Sequence, residues 1–329
     1  MIEQAKNVGI ICNPIAGTLS EAKIITQVNQ IGKKIQTHGP KVQIYYTERR
    51  GHATEIAASA KEKEHDLLIS VGGDGTFGEI IKGLPLKEPD ETKSQIIVAP
   101  ICTGTFDLLG QDLLLPKNQP EEAIEELFTR GVLRNIDLGS INGERFVNLA
   151  DVGASAKAVK AAQKSGRRGK GRYYLPGLIH GITYKGIYGK LSVNDKEVFD
   201  GYILQTWFEN TPSLVFTKLR PEATCDDGEL ESESFFGRRG FNAAIPGLRA
   251  MKTPGKQFPG SHYSKGGKFI LTLDESTAIQ IDGTPLPDAH TIKVHVIPSA
   301  ITILIPDNKE VTVFSKPPIP RLYLLLSRA

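Results

Sequence analysis

The stretch Val71-Gly72-Gly73-Asp74-Gly75-Thr76 constrains this chain more than any other. It follows the apolar run Leu67-Leu68-Ile69-Ser70 and precedes a helical pattern from Glu79 to Gly83. Three glycines within four positions let a backbone take positive φ and approach another group closely. A helix start after such a turn offers free N–H groups and the positive end of a dipole, an environment suited to phosphate. Asp74 is costly in that setting unless it serves a metal, a water or a sugar hydroxyl. A tight strand-to-helix turn with an Asp cap explains the same residues, because a short glycine motif is weak evidence alone. The loop also lacks the Gly-Lys-Ser/Thr ending of a P-loop.

Two further apolar runs end in small-residue turns. Val8-Gly9-Ile10-Ile11-Cys12 leads into Asn13-Pro14-Ile15-Ala16-Gly17, and Ile96-Ile97-Val98-Ala99-Pro100 leads into Thr103-Gly104-Thr105. In a parallel α/β sheet such turns collect at the carboxyl edge and line one crevice. Ile24, Val28, Ile31 and Ile35 recur at helical spacing between Ser20 and Gly39, with a strand at Val42–Tyr46 and a helix face at Ala53, Ile56, Ala57 and Ala60. An amphipathic helix at Glu121–Thr129 closes this region. The alternation predicts an α/β domain over residues 1–131 with a mostly parallel sheet.

After Gly131 the pattern changes. Asn142-Gly143 sits between Asn135–Ser140 and Arg145–Ala150, a strong hairpin signal. Short strand-type runs follow at Lys190–Val193, Tyr202–Phe208, Glu229–Phe236, Phe269–Leu273, Ala278–Ile281, Thr291–Ile297 and Ile301–Ile305. They predict a β-rich, sandwich-like domain over residues 132–329, with helical inserts at Phe241–Met251 and after Arg172 through Leu178. The final residues, including a strand-like Leu322–Leu326, are candidates for a return to the first domain. At 329 residues two domains are expected, since single cores stop growing near ~250–300 residues.

Three widely spaced cysteines, Cys12, Cys102 and Cys225, give no disulfide framework and fit a reducing compartment. No long apolar signal region opens the chain, and no apolar run approaches the ~20 residues that span a bilayer. A cytoplasmic protein is expected, with peripheral membrane attachment left open. The net charge of +3 is uninformative, but Gly237–Leu273 holds no Asp or Glu beside Arg238, Arg239, Arg249, Lys252, Lys256, Lys265 and Lys268. Such a run is a solvated basic face or a surface for anionic lipid headgroups. Nucleic acid is not expected, because neither aromatic interleaving nor a zinc-finger pattern accompanies the charge. A homodimer is compatible with the sequence.

Six motifs in order resemble the diacylglycerol kinase catalytic family, which includes bacterial lipid kinases and sphingosine kinases. They are Asn13-Pro14 with Gly17; Thr47 with Gly51-His52-Ala53; Gly72–Thr76; Gly104-Thr105; Pro221-Glu222-Ala223 with Asp227-Gly228 and Leu230; and Ile281-Asp282-Gly283. The resemblance covers most of the chain. It implies an NAD kinase/diacylglycerol kinase-like nucleotide domain, a β-rich lipid domain, and ATP-dependent phosphorylation of a diacylglycerol- or sphingoid-like hydroxyl. It places ATP at Asn13, Gly17, Thr47, Gly72, Gly73, Gly75, Thr76 and Thr105, with Arg168 and Arg172 resembling paired phosphate-gripping arginines. It also implies a structural Mg²⁺ held by Asp227 with backbone oxygens near Thr224 and Glu229. An Asp-Gly hairpin turn is the bland explanation there.

Three departures bear on activity. Gly78 stands before Glu79 where the family has Asn. The Gly-Thr-x-Asn-Asp motif reads Gly104-Thr105-Phe106-Asp107-Leu108. The late Asp-Gly-Glu motif, whose Glu is the family's proposed base, reads Asp282-Gly283-Thr284. A threonine is no general base near neutral pH, so Asp74, Asp107 and Asp282 become the candidate acids. The expected function is a lipid kinase. A catalytically impaired nucleotide- or lipid-binding homologue is the first alternative, and an NAD kinase, which shares the glycine motif, the second.

Overall fold

The computed structural model describes residues 2–85, 96–164, 174–214, 217–218, 220–239, 253, 255–256 and 259–319. Its strands are β1 (Asn7–Cys12), β2 (Lys41–Tyr46), β3 (Leu67–Gly72), β4 (Ile97–Cys102), β5 (Gly131–Ile141), β6 (Glu144–Phe146), β7 (Leu149–Gly153) and β8 (Ile187–Val193), then β9 (Lys196–Glu209), β10 (Ser213–Leu214), β11 (Thr217–Lys218), β12 (Leu230–Phe236), β13 (Ser261–Gly266), β14 (Lys268–Ile281) and β15 (Thr284–Pro306). Its helices are α1 (Glu21–Thr37), α2 (His52–Ala58), α3 (Asp74–Gly83), α4 (Leu108–Asp112), α5 (Pro120–Arg130), α6 (Ala154–Lys164) and α7 (Tyr174–Thr183). The chain divides into two compact units: Met1–Ile136 with the stretch from Ser299 onward, and Asp137–Pro298.

In the first unit β2, β1, β3, β4 and the end of β15 lie side by side in that order, every pair parallel. β3 is buried along its whole length, as a central parallel strand covered on both faces must be. The helical stripe read from the sequence is the buried face of α1: Ile24, Val28, Ile31 and Ile35 pack with Val8, Ile10, Ile69 and Val71 in one cluster. Burying each such isoleucine is worth about 1.5–3 kcal/mol. The same cluster takes Leu304 from β15 and Ala123, Ile124 and Leu127 from α5. Parallel order carries the carboxyl ends of β1, β3 and β4 to the same edge.

In the second unit the pairs β5–β6, β7–β9, β7–β14, β8–β9, β8–β14, β9–β12, β10–β11, β12–β13 and β14–β15 are all antiparallel. The short sequence runs suggest two stacked sheets. Apart from the small β10–β11 pair, hydrogen bonding connects this unit's described strands along β13, β12, β9, β7, β14 and β15, with β5, β6 and β8 joined beside that path. β7 and β8 both fit between β9 and β14, one toward each end of these 14-residue strands. Register shifts in the β14–β15, β9–β12 and β8–β9 pairs mark the irregular points along it. Two runs read as separate strands, Phe269–Leu273 and Ala278–Ile281, are parts of β14, and Thr291–Ile297 and Ile301–Ile305 are parts of β15. β13, inside the basic run, has no apolar alternation and escapes sequence reading. The expected helix after Arg172 is α7. The insert at 241–251 and the strand at 322–326 lie outside the described residues.

Candidate active site

Three loops of the first unit converge at the ends of β1, β3 and β4. The Asn13 amide donates to Val71 O (2.9 Å) and the Thr103 amide to Gly72 O (2.8 Å), so each loop is tied to the β3 exit. Asn13 Nδ2 reaches Thr76 Oγ1 (3.3 Å), while Asn13 Oδ1 accepts from the Ile15 amide (3.2 Å). The Thr47 amide donates to Cys12 O (2.9 Å), which brings the end of β2 to the same edge.

Glycine is demanded here mostly by loop-to-loop packing. At Gly17, with φ +72°, a Cβ would stand 1.7 Å from Thr103 O. A Cβ on Gly73 would lie 2.8 Å from Gly104 Cα, and one on Gly104 would lie 2.3 Å from Gly73 Cα. Gly72 faces the Thr76 side chain, its own Cβ position being 2.5 Å from Thr76 Oγ1. Gly75 differs: a Cβ there would meet nothing within 4 Å. The helix α3 begins at Asp74, five residues ahead of the sequence expectation. The first amides of a helix lie outside its hydrogen-bond ladder, and the first turn of α3 has open space at Gly75, a geometry that suits phosphate oxygens. Thr103 Oγ1 is buried at this convergence with no hydrogen-bond partner among the described residues.

The acids are differently occupied. Asp74 is half-buried, and its Oδ1 accepts from the Leu108 amide (2.7 Å), which also anchors the start of α4. Asp107 is buried, takes the left-handed conformation (φ 55°, ψ 57°) as N-cap of α4, and accepts from the Gly104 amide (3.0 Å). Asn and Asp are the non-glycine residues best suited to that conformation, so the Asn-to-Asp departure preserves the turn. The added charge is met by Lys117, whose Nζ lies 3.1 Å from Asp107 Oδ2 and also donates to the Thr105 and Phe106 carbonyls. Sequence reasoning missed Lys117, since nothing local marks it. Burial pushes the nearby Cys102 thiol well up, and the Asp107 and Asp74 charges push it further; all three cysteines are buried and outside any disulfide.

In the second unit Ile281-Asp282-Gly283-Thr284 is a two-residue hairpin turn, with Asp282 at φ 45°, Gly283 at φ 78° and Ile281 paired with Thr284. The Asp282 carboxylate accepts from the Val147 (2.8 Å), Asn148 (2.9 Å) and Leu149 (3.0 Å) amides. Burial raises its carboxyl above the ordinary value while those three amides oppose the rise. Its oxygens hold the turn to the segment that precedes β7. Thr284 is half-buried at the start of β15. The backbone beside it is braced by a network the sequence did not reveal. Gln280 Nε2 donates to Asp151 Oδ2 (2.7 Å), Gln280 Oε1 accepts from the Gly283 amide (2.7 Å), and Gln163 donates to Gly283 O (2.5 Å).

The Asp227 turn brings Thr224, Asp227 and Glu229 together, but toward each other. Thr224 Oγ1 donates to Asp227 Oδ2 (2.7 Å) and the Glu229 amide to Asp227 Oδ1 (3.0 Å). Lys265 Nζ is 2.8 Å from Asp227 Oδ2 and 3.0 Å from Glu231 Oε1. Burial alone would raise the Asp227 carboxyl, yet the Lys265 ammonium, the Thr224 hydroxyl and the Glu229 amide together hold it below its ordinary value. Among the described residues no group of three His, Cys, Asp or Glu is placed to hold a metal. The donor set at this turn does not fit the Mg²⁺ expected there. Arg168 and Arg172 lie outside the described residues.

Parallel strands ending in close-packed loops beside an open helix start define the class of α/β proteins that take ligands at the carboxyl edge of the sheet. Comparisons sharpen the class. The family model of the diacylglycerol kinase catalytic domain matches residues 7–141. A diacylglycerol kinase of Bacillus subtilis (strain 168) is 27% identical over 283 residues, 84% of this chain and 89% of the relative. One of Staphylococcus epidermidis is 31% identical over 229 residues, 68% of each chain. A crystal structure of a diacylglycerol kinase from Bacillus anthracis str. Sterne superposes with a TM-score of 0.69 at 20% identity, covering 94% of this chain and 99% of that one. A second crystal structure from that organism gives 0.75 at 21% identity and the same coverage. The chain belongs to the diacylglycerol kinase catalytic-domain family. Among the described residues no helix is long and apolar enough to cross a membrane.

Proposed function

We propose that this protein transfers the γ-phosphoryl group of ATP to a lipid hydroxyl of diacylglycerol or sphingoid type. The observation that carries the reading is the convergence of the Asn13–Gly17, Gly72–Thr76 and Thr103–Asp107 loops in a member of this family. Asn13, Thr47, Thr76 and Thr105 surround the nucleotide, Gly17, Gly72 and Gly73 let the loops close, and the α3 start at Asp74-Gly75 receives phosphate. Mg²⁺ bound with the nucleotide would supply neutralisation of phosphate charge. Asp74 orients the acceptor hydroxyl and accepts its proton. Asp107 is buried against Lys117 and Gly104 and Asp282 lies in the second unit's turn on three amides, whereas Asp74 is half-buried at the α3 start where the three loops meet, and that position favours it among the three acids.

The acceptor class has support from α7. Leu175, Leu178, Ile179 and Ile182 are exposed along one helical stripe, an apolar face suited to a lipid surface. The basic run contributes less than its count suggests, because Lys265 and Lys268 are paired with Asp227 and Asp195.

Labelled ATP, Mg²⁺ and a total-lipid extract test the proposal, with products identified by mass. Transfer to a lipid is expected, and Asp74→Asn is expected to lower kcat by roughly 10²–10⁴, the usual worth of general-base assistance. No labelled lipid, with Mg-ATP binding intact, would overturn it. The second reading, a binding protein without turnover, is favoured by Leu108 and Thr284, which stand where the family has acids. It predicts an idle parent and transfer gained by Thr284→Glu.

A further inference from the structure

The register of β12 and β13 places a charge ladder on one face. Glu231 stands opposite Lys265 and Glu233 opposite Tyr263. Arg220, itself buried, pairs with Glu233 and lies over the Tyr263 ring, whose hydroxyl donates to Glu231. Lys265 ends this ladder beside the Asp227-Gly228 turn. Its three donors meet Asp227 Oδ2 at 2.8 Å, Glu231 Oε1 at 3.0 Å and, more loosely, Glu229 Oε2 at 3.9 Å. The first two are hydrogen-bond lengths for an ammonium. The Glu231 side chain is 4% exposed and that of Asp227 20%, so neither charge is left to solvent. The turn is further fixed by the Gly228 amide, which donates to Asp137 Oδ2 (2.6 Å). A divalent ion on Asp227 Oδ2 would sit against a fixed positive charge that a paired strand holds in place.

We propose that Lys265 supplies from within the chain the cation that the fold family implies at this turn, so that the second unit folds without a divalent metal and Lys265 excludes one. Any Mg²⁺ requirement of turnover then belongs to the nucleotide. This inference is independent of whether the protein is an active kinase.

Thermal unfolding of the full chain without nucleotide tests it, run in EDTA, in Mg²⁺ and in Ca²⁺. The parent is expected to melt at the same temperature, within about 1 °C, in all three; for a unit of roughly 150–250 residues a contribution of about 1 kcal/mol already shifts Tm by roughly 2–4 °C. Asp227→Asn is expected to lower Tm equally in EDTA and in Mg²⁺. Lys265→Met, which leaves the buried Glu231 with only the neutral Tyr263 hydroxyl in place of an ammonium, is expected to melt roughly 6 °C lower in EDTA and to regain part of that loss in Mg²⁺ or Ca²⁺. The proposal fails if EDTA lowers the parent's Tm, or if the Asp227→Asn penalty appears only in Mg²⁺. A folded Lys265→Met that ignores both ions would also sink it. Should Lys265→Met not fold, the parent and Asp227→Asn decide between an ammonium and a metal.

Discussion

Gly73 and Gly75 are two residues apart and have opposite reasons to be glycine. A methyl on Gly73 or Gly104 strikes the facing loop backbone, whereas one on Gly75 enters open space. Gly104→Ala is therefore expected to destabilise the first unit by about 1–3 kcal/mol, the cost of overpacking, as read from urea unfolding. Gly75→Ala is expected to unfold at the parent's urea midpoint yet to bind Mg-ATP at least ~10-fold more weakly in calorimetric titration, a loss of about 1.4 kcal/mol. An unchanged affinity in Gly75→Ala would remove phosphate from the α3 start. The sequence exposes the glycine cluster but not this division of labour, because which glycine meets backbone depends on Gly104, some thirty residues away along the chain.

At the level of elements, the hairpins follow their turn residues. Asn142-Gly143 and Asp282-Gly283 both take positive φ at both positions, as the two-residue turn requires, and both were legible from a dipeptide. The pairing of β7 with β14 was not. It sets Asp151 opposite Gln280 in a buried position where desolvation raises its carboxyl to about 7, against the pull of Gln280, Ser155 and the Ala156 amide. An acid whose folded-state value is raised stabilises fully below its unfolded value, and that contribution is lost as pH rises through the folded one. The window here runs from 3.8 to about 7, and a shift of that size is worth about 4 kcal/mol. Asp151→Asn keeps an acceptor for Gln280 and cannot ionise. It is expected to outlast the parent in denaturant at pH 8, with the gap narrowing toward pH 4; parallel pH profiles would refute an ionising Asp151.

For the whole molecule, the first unit is assembled from both ends of the chain. Thr302 and Ile303 pair with Ile97 and Val98 of β4, Leu304 enters the main core, and the Asp307 amide donates to Arg130 O (2.7 Å). Residues 1–136 expressed alone would leave β4 with an open edge and the core without Leu304. They are expected to lack a cooperative thermal transition, and joining residues 299–319 through a glycine-rich linker is expected to restore one. A cooperative melt of 1–136 alone would show that the returning segment is dispensable.

Local chemistry was enough to determine the strand–loop–helix grammar of the first unit, its glycine turns, the two Asn/Asp-Gly hairpins and the ordered motifs of the family, since each depends on φ, periodicity or spacing within a few residues. Only the tertiary structure decided what the charges do. Lys265 reads as one cation of a basic run and Lys117 as one among forty basic residues, until strand register and loop packing set them against Asp227 and Asp107. A charge acquires its role from the partner that burial forces on it, and that partner is chosen by long-range pairing that no local stretch of sequence encodes.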